Sequence, residues 1–408
     1  MQQNAVVTLK RGRDESLKRF HPWIFSGAVQ SFSSSPKIGD IVVVEDYVGQ
    51  VLGYGFYEGG NISVRMFHYG KEMPNIETLL QTKLQIAFDL RKTLGMVSPH
   101  KTDQDALVND SYRLCYGEAD GLPGLVVDVY HNTAVLQAHC AGIYSFFPLI
   151  ARLLISLSEG EITYVYDKSA STLPSQVAHL STGDGYLTDR PTEPPFSYEQ
   201  GVRFLPDWEH GQKTGFFLDQ RNNRSFVEQY ARGRRVLNMF CYTGGFSLYA
   251  MRGGATEVFS VDSSARAIEL CERNVDANNF AHPERHNSVV SDAFEYLQEM
   301  PMFRHDLIIL DPPAFAKQRR SVPKALNGYR RLNALALQKI APGGILFTFS
   351  CSQAISVNDF TLAVLTAATQ SGRKVQILHR LMQSPDHPIS IYHPEAEYLK
   401  GLILYVTD

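Results

Sequence analysis

From residue 235 onward, short apolar runs alternate with segments of helical period, and that alternation confines this half of the chain to an open, doubly wound α/β sheet. Residues 235–240 predict the first strand, 242–245 a turn, and 246–251 a helix stopped by Gly253 and Gly254. Residues 257–261 predict the next strand, with Ser263 or Ser264 capping a helix that carries Ile268, Cys271 and Val275 on one face. Residues 288–290, 306–310, 344–349, 375–378 and 402–406 predict further strands, the last two as an antiparallel hairpin.

In such a sheet the ligand crevice lies beyond the carboxyl ends of the strands, so the residues just after each run are the informative ones. After the first come Tyr242, Thr243, Gly244 and Gly245, a turn able to bring backbone close to a ligand. Asp262 follows 17 residues after Gly245, where an acid can bind both hydroxyls of a ribose, and Asp292 stands after the third strand. A tight turn with two helix caps is the bland alternative. The absence of GxGxxG argues against a dinucleotide and suits S-adenosylmethionine, which has no pyrophosphate to cradle.

Asp311-Pro312-Pro313-Ala314-Phe315 closes a wholly apolar run. Consecutive prolines stiffen the turn and hold the acid at the strand tip, beside a flat substrate. Lys317, Arg319, Arg320, Lys324, Arg330 and Arg331 follow with no acid among them and Tyr329 interleaved. Attached to the same loop, they read as phosphate contacts to RNA, against the plain alternative of a solvated face. Ser350-Cys351-Ser352 ends another strand at the same edge. A thiolate there could add to C6 of a pyrimidine and activate C5, or the cysteine could be simple packing. Gly211-Gln212-Lys213-Thr214 is not a phosphate-binding P-loop, because glycine does not directly precede the lysine and no buried strand leads in. His379, His387 and His393 lack metal-ligand spacing and read as polar loop residues, so no metal is expected.

The first part of the chain has a different texture. Residues 41–44, 49–53 and 62–66 are β-branched runs about ten apart and predict a small antiparallel barrel or sandwich over 1–72. An α+β segment is expected over 73–190, with helices at 76–94 and 144–157 and strands at 124–129 and 133–137; Arg91 is the polar exception on the first helix. The Pro-rich stretch 188–195 has linker composition and places the third domain at 191–408.

With 408 residues, 44% of them hydrophobic, the chain can bury more than one core. Its net charge of −3 gives no global attraction to polyanions, so any nucleic-acid surface must be local. Five scattered cysteines without CxxC indicate neither a disulfide framework nor zinc, and fit a reducing cytoplasm. No signal peptide or membrane span is expected: the longest apolar stretch, 143–157, is short and carries Arg152.

Taken together, several motifs resemble the bacterial ribosomal RNA large-subunit methyltransferases that make 5-methylcytosine in 23S rRNA, almost end to end. Lys10-Arg11-Gly12-Arg13 and Arg19-Phe20-His21-Pro22-Trp23-Ile24-Phe25-Ser26-Gly27 are similar to that family's N-terminal PUA domain, and Ser111–Leu114 with Gly117–Gly124 to its middle domain. Lys213–Arg221, Asn238–Phe246, Asp311–Phe315, Thr348–Ser352 and Asp386–Pro388 look like its catalytic motifs. The resemblance implies a class I methyltransferase domain with S-adenosylmethionine among Phe240, Tyr242, Thr243, Gly244, Asp262, Asp292 and Asp311, and with Asp219 or Gln220 at its methionine end. It implies Cys351 as nucleophile, Asp311 at the base edge, Lys10, Arg11, Arg13 and Arg19 as RNA contacts, and a possible homodimer. The better-known cytosine-C5 enzymes carry a second cysteine after the first proline of the Asp311 motif; this chain has Pro313 there, which leaves the base that removes the C5 proton unassigned. Direct methylation of a purine nitrogen, guanine N7 or adenine N6, is the rival chemistry for Asp-Pro-Pro-x-Phe. A non-catalytic RNA-binding factor is the rival class.

Overall fold

The computed structural model describes residues 4–97, 109–193, 195–316 and 318–408. They fall into two compact units, one of residues 1–201, 206–218 and 385–396, the other of 202–205, 219–384 and 397–408. No helix among the described residues is long and apolar enough to cross a membrane.

The first unit opens with a six-stranded sheet: β1 (Val6–Leu9), β2 (Trp23–Phe25), β3 (Val29–Phe32), β4 (Ile41–Glu45), β5 (Val51–Tyr57) and β6 (Ile62–Tyr69). Its order is β2-β6-β5-β4-β1-β3, antiparallel except for the pairing of β1 with β4. Alternation along β1 and β4 buries Val7, Leu9, Val42 and Val44 on one face. Helix α1 (Ile76–Thr93) follows, capped by the Asn75 side chain, which accepts from the Thr78 N–H at 3.1 Å. A five-stranded sheet comprises β7 (Ser111–Tyr116), β8 (Leu125–Tyr130), β9 (Thr133–Ala138), β10 (Tyr164–Asp167) and β11 (Gly185–Tyr186), and helix α2 (Phe147–Leu157) lies between β9 and β10 in the chain. Phe56 and Phe67 of the first sheet share one core with Leu84 and Phe88 of α1 and Leu125 of β8.

The first unit departs from the sequence expectations at two points. The helix expected over 144–157 is broken after Tyr144; α2 begins at Phe147, with Pro148 in its first turn where a missing N–H costs nothing. As its spacing predicts, Arg91 is the polar exception on the face that α1 buries, wholly buried with its two Nη atoms donating to the Asp120 carboxylate at 2.6 and 2.9 Å and Nε to the Arg113 carbonyl at 2.8 Å. Two of the three histidines read as polar loop residues are buried: His393 packs its ring 4.3 Å from that of Trp23, and His387 lies beside Asp386.

The second unit holds a seven-stranded sheet. Its strands are β12 (Arg235–Met239), β13 (Glu257–Asp262), β14 (His286–Val290), β15 (Leu307–Leu310), β16 (Ile345–Ser350), β17 (Val375–Met382) and β18 (Lys400–Val406), in the order β14-β13-β12-β15-β16-β18-β17. The first five named in that order run parallel, and β18 pairs antiparallel with both β16 and β17. The expected terminal hairpin is therefore present, and the third histidine, His379, lies in β17. Helices α3 (Arg221–Ala231), α4 (Gly245–Arg252), α5 (Ala265–Asp276), α6 (Ala293–Glu299), α7 (Val322–Lys339) and α8 (Val357–Ser371) complete it. Burial on both faces explains why β15 reads as an unbroken apolar run and β16 as one interrupted only by Thr348 before it ends at Ser350. Strand order reverses between β12 and β15, which puts a crevice beyond Met239 and Leu310.

Candidate active site

Beyond β12 the backbone turns sharply. Phe240, Tyr242 and Gly244 all have positive φ, at 58°, 49° and 82°. Only glycine is comfortable at the last: a Cβ on Gly244 would lie 2.4 Å from the Cys271 Sγ. The turn is anchored from β13, because the Asp262 carboxylate accepts from the Tyr242 N–H at 3.0 Å and from the Ser264 N–H at 2.9 Å. Ser264 is the cap of α5, accepting from the Ala267 N–H at 3.3 Å. Beneath the turn runs a polar chain that the sequence did not announce. Asn238 Nδ2 donates to Ser247 Oγ at 2.9 Å, Ser247 Oγ meets Ser260 Oγ at 2.6 Å, and Ser260 Oγ meets His286 Nε2 at 2.8 Å. It links β12, α4, β13 and β14 into one support for the turn. Thr243 faces inward: its side chain is buried and its carbonyl accepts from Asn274 Nδ2 at 2.9 Å. Asp292 is exposed and caps α6, accepting from the Phe294 and Glu295 N–H groups; the neighbouring Ser291 N–H bonds the Asp262 carbonyl at 3.0 Å.

Beyond β15 the Asp311 turn meets a second polar set. Gln220 Nε2 donates to Asp311 Oδ2 at 3.0 Å and is itself held by Asn223, whose Nδ2 lies 2.6 Å from Gln220 Oε1. Asp219 is buried; Tyr398 donates its hydroxyl to one carboxylate oxygen, and the other has no hydrogen-bond partner. Burial first, and then the charge of Asp219, push the Asp311 carboxyl up to about 7, against the opposing pull of Gln220 and Arg224. Two carboxylates with too little compensation are a site that favours a cation.

A pH dependence follows. The unfolded Asp311 carboxyl ionises near its ordinary value of 3.8, the folded one near 7, so between them the folded chain holds more protons and loses stability as pH rises. Urea unfolding across that window should show a downward slope with rising pH that is reduced in Asp311→Asn. The difference between the two proteins isolates this group from Glu58, whose carboxyl is also pushed up to about 7 by burial. Parallel curves would contradict the assignment.

Cys351 stands at the end of β16, half-buried, its Sγ 3.8 Å from the Pro312 carbonyl. The 311–316 and 350–355 loops are tied through Ser352, whose Oγ accepts from the Ala316 N–H at 3.2 Å and meets the Tyr329 hydroxyl at 3.0 Å. Tyr329 is thus a wholly buried core residue, with its ring 4.6 Å from that of Phe315, and not part of an exposed basic stripe. Of the basic run, Lys317 lies outside the described residues. Arg319 and Arg320 are exposed before α7, whereas Lys324, Arg330 and Arg331 are on the helix itself, Arg331 over the Phe294 ring at 5.2 Å. In the first unit Lys10, Arg11, Arg13 and Arg19 are exposed. Lys10 Nζ is bonded to the Gly27 carbonyl at 3.0 Å, Arg11 lies 5.6 Å over the Tyr47 ring, and Arg13 lines a cavity of about 250 Å³ with Trp23 and Phe25. Arg224, Tyr398 and Lys400 stand in no motif, yet each lies next to the crevice, Arg224 and Lys400 buried and Tyr398 half-buried.

Residues 179–404 match the family model described as S-adenosylmethionine-dependent methyltransferase, and residues 7–69 one described as PUA-like domain. The chain is 37% identical over 409 residues to a protein of Aeromonas hydrophila named ribosomal RNA large subunit methyltransferase I, covering 98% of this chain and 99% of that one. The chain belongs to the ribosomal RNA large subunit methyltransferase I family. A relative with the same name from Alteromonas mediterranea is 37% identical over 408 residues, covering 99% and 100%. Among solved structures, a candidate methyltransferase complexed with SAH has a TM-score of 0.80 at 22% identity, covering 98% of this chain and 99% of that one, which establishes the shared fold. This member of the family is an S-adenosylmethionine-dependent methyltransferase with an N-terminal PUA-like domain.

The residues present fit that cofactor. The unpartnered, buried Asp219 oxygen and its neighbour Asp311 suit a molecule carrying an ammonium and a sulfonium. Asp262 spends one lone pair per oxygen on backbone N–H groups, and its other lone pairs could accept from the hydroxyls of a ribose.

Proposed function

We propose that the protein methylates C5 of a cytosine in 23S ribosomal RNA, working in the cytoplasm, with Cys351 as the nucleophile. The observation that carries this reading is the position of Cys351: a half-buried thiol at the tip of β16, in contact with the Pro312 carbonyl of the Asp311 turn. The relatives' name supports ribosomal RNA as the substrate. The cofactor supplies an electrophilic methyl group. On this reading the thiolate adds to C6 of the base, the electron pair moves to C5, and C5 takes the methyl. Loss of the C5 proton then expels the thiolate and restores the aromatic ring.

Asp262 holds the ribose hydroxyls, Tyr242 and Gly244 shape the floor through their backbone, and Asp292 borders the same edge. Asp219 and Asp311, fixed by Tyr398 and Gln220, take the cationic end. Asp262→Ala removes the acceptor of two backbone N–H groups as well as the ribose contacts. S-adenosylmethionine affinity measured by calorimetry should fall at least about tenfold, equal to roughly 1.4 kcal/mol or more. An unchanged affinity would remove Asp262 from the site.

RNA contact is assigned to Lys10, Arg11, Arg13 and Arg19 on the PUA-like domain and to Arg319, Arg320, Lys324, Arg330 and Arg331 beside the Asp311 turn. Contacts of this kind hold phosphate and confer no sequence choice. The test of substrate class is transfer of labelled methyl from S-adenosylmethionine to deproteinised RNAs. Label is expected in large-subunit rRNA lacking its usual modification and absent from tRNA and DNA. Label confined to tRNA or DNA would overturn the assignment.

A further inference from the structure

Lys400 is a cation placed where cations are costly. It is 5% exposed, and no carboxylate lies within ion-pairing distance of it among the described residues. In the antiparallel register of β16 and β18 it stands opposite Ser350, the residue before Cys351. From there its Nζ donates to two main-chain carbonyls, of Ser352 and Ile355, each at 2.7 Å. One side chain thus clasps both ends of the loop that follows the cysteine.

Two carbonyl bonds satisfy the ammonium's donors without neutralising its charge. Burial pulls the Lys400 pKa down, while the charges at Cys351 and Glu397 raise it. Among the described residues, the titratable groups beside this loop include the Tyr329 phenol, bonded to Ser352 and pushed up chiefly by burial, and Asp311 at the head of the turn that Cys351 contacts. Neither is a cation. Lys400 is a positive charge beside this loop that opposes a negative one at Cys351.

We infer that Lys400 is a positioning residue for Cys351, whose ammonium is a counter-charge for the thiolate and whose two carbonyl bonds fix the 351–355 loop. Ionisation releases the thiol proton to solvent and leaves Lys400 protonated, so the cation is ready before RNA binds. The inference rests on the reading of Cys351 as nucleophile, yet it can be tested without methyl transfer.

The measurement is the rate of alkylation of Cys351 by iodoacetamide against pH in the full chain, read on the Cys351 peptide by mass spectrometry. Lys400→Gln keeps an amide that can donate to the carbonyls but removes the charge; Lys400→Arg keeps the charge. In Lys400→Gln the midpoint should rise by about one pH unit, an approximately tenfold loss of reactive thiolate near neutrality. The kcat should shift along the same axis with KM for RNA unchanged, and Lys400→Arg should restore much of the wild-type profile. A thermal melt of each variant shows whether it is folded, and the Arg variant carries the comparison if Gln is not. Superimposable profiles would overturn the inference. Methylation retained by Cys351→Ala would instead remove the nucleophile reading, and the alkylation profile would still judge Lys400 by itself.

Discussion

Cys351→Ala is expected to lower kcat for methyl transfer by at least about a thousandfold while leaving the affinity for S-adenosylmethionine within about twofold of wild type. The separation follows from the geometry. The 240–244 turn, Asp262, Asp219 and Gln220 hold their conformations through partners other than the thiol. The cysteine contacts the Pro312 carbonyl and packs against the apolar cluster that includes Phe349, so its loss removes the reactive thiol and those contacts while these cofactor-side residues keep their own. A direct attack by a ring nitrogen on the methyl group would need no thiol, and the variant would then keep most of its rate. Steady-state assays with labelled cofactor, paired with calorimetry on the same preparations, distinguish the two.

Arg91→Met is expected to destabilise the first unit by about 3–5 kcal/mol. Arg91 is fully buried, and Asp120, with its side chain 5% exposed, would be left with a buried negative charge and only the Tyr116 N–H, at 2.7 Å, in compensation. Arg91 also donates to the Asp386 carbonyl at 2.8 Å, which joins the 385–396 segment to helix α1 within the same unit. Both tryptophans, Trp23 and Trp208, belong to this unit, so urea unfolding followed by tryptophan fluorescence reports on it selectively. Adding Asp120→Asn should return part of the loss, because the orphaned charge then disappears. A loss under about 1 kcal/mol would show that the pair is not the support described.

The strands of the methyltransferase sheet were legible because burial on both faces leaves mostly apolar residues, wholly so along β15 and with Thr348 and Ser350 as the exceptions along β16, and the acids and turns that follow them stand out by contrast. Helix α3 was not, since the face it buries includes Arg221, Asn223 and Arg224; a polar residue satisfied by tertiary partners looks, in sequence, like a solvent-facing one. Tyr329, His387 and His393 were hidden in the same way. Strands β1, β2 and β10 are only three or four residues long, too short for a period to show. In the site, Asp219, Asp262, Asp311 and Cys351 were visible through motif and strand-end position. Tyr398 and Lys400 were not, because their relation to Asp219 and Cys351 arises only when β18 pairs antiparallel beside β16.

The central claim, that a Cys351 thiolate drives methylation at C5 of cytosine, is tested most directly by nucleoside mass spectrometry. Deproteinised rRNA, unmodified at its usual target, is reacted with labelled S-adenosylmethionine and either the wild-type protein or Cys351→Ala, then digested. Labelled 5-methylcytidine with the wild type alone is the predicted result. A labelled methylpurine formed by both proteins would contradict it and make Cys351 a packing residue.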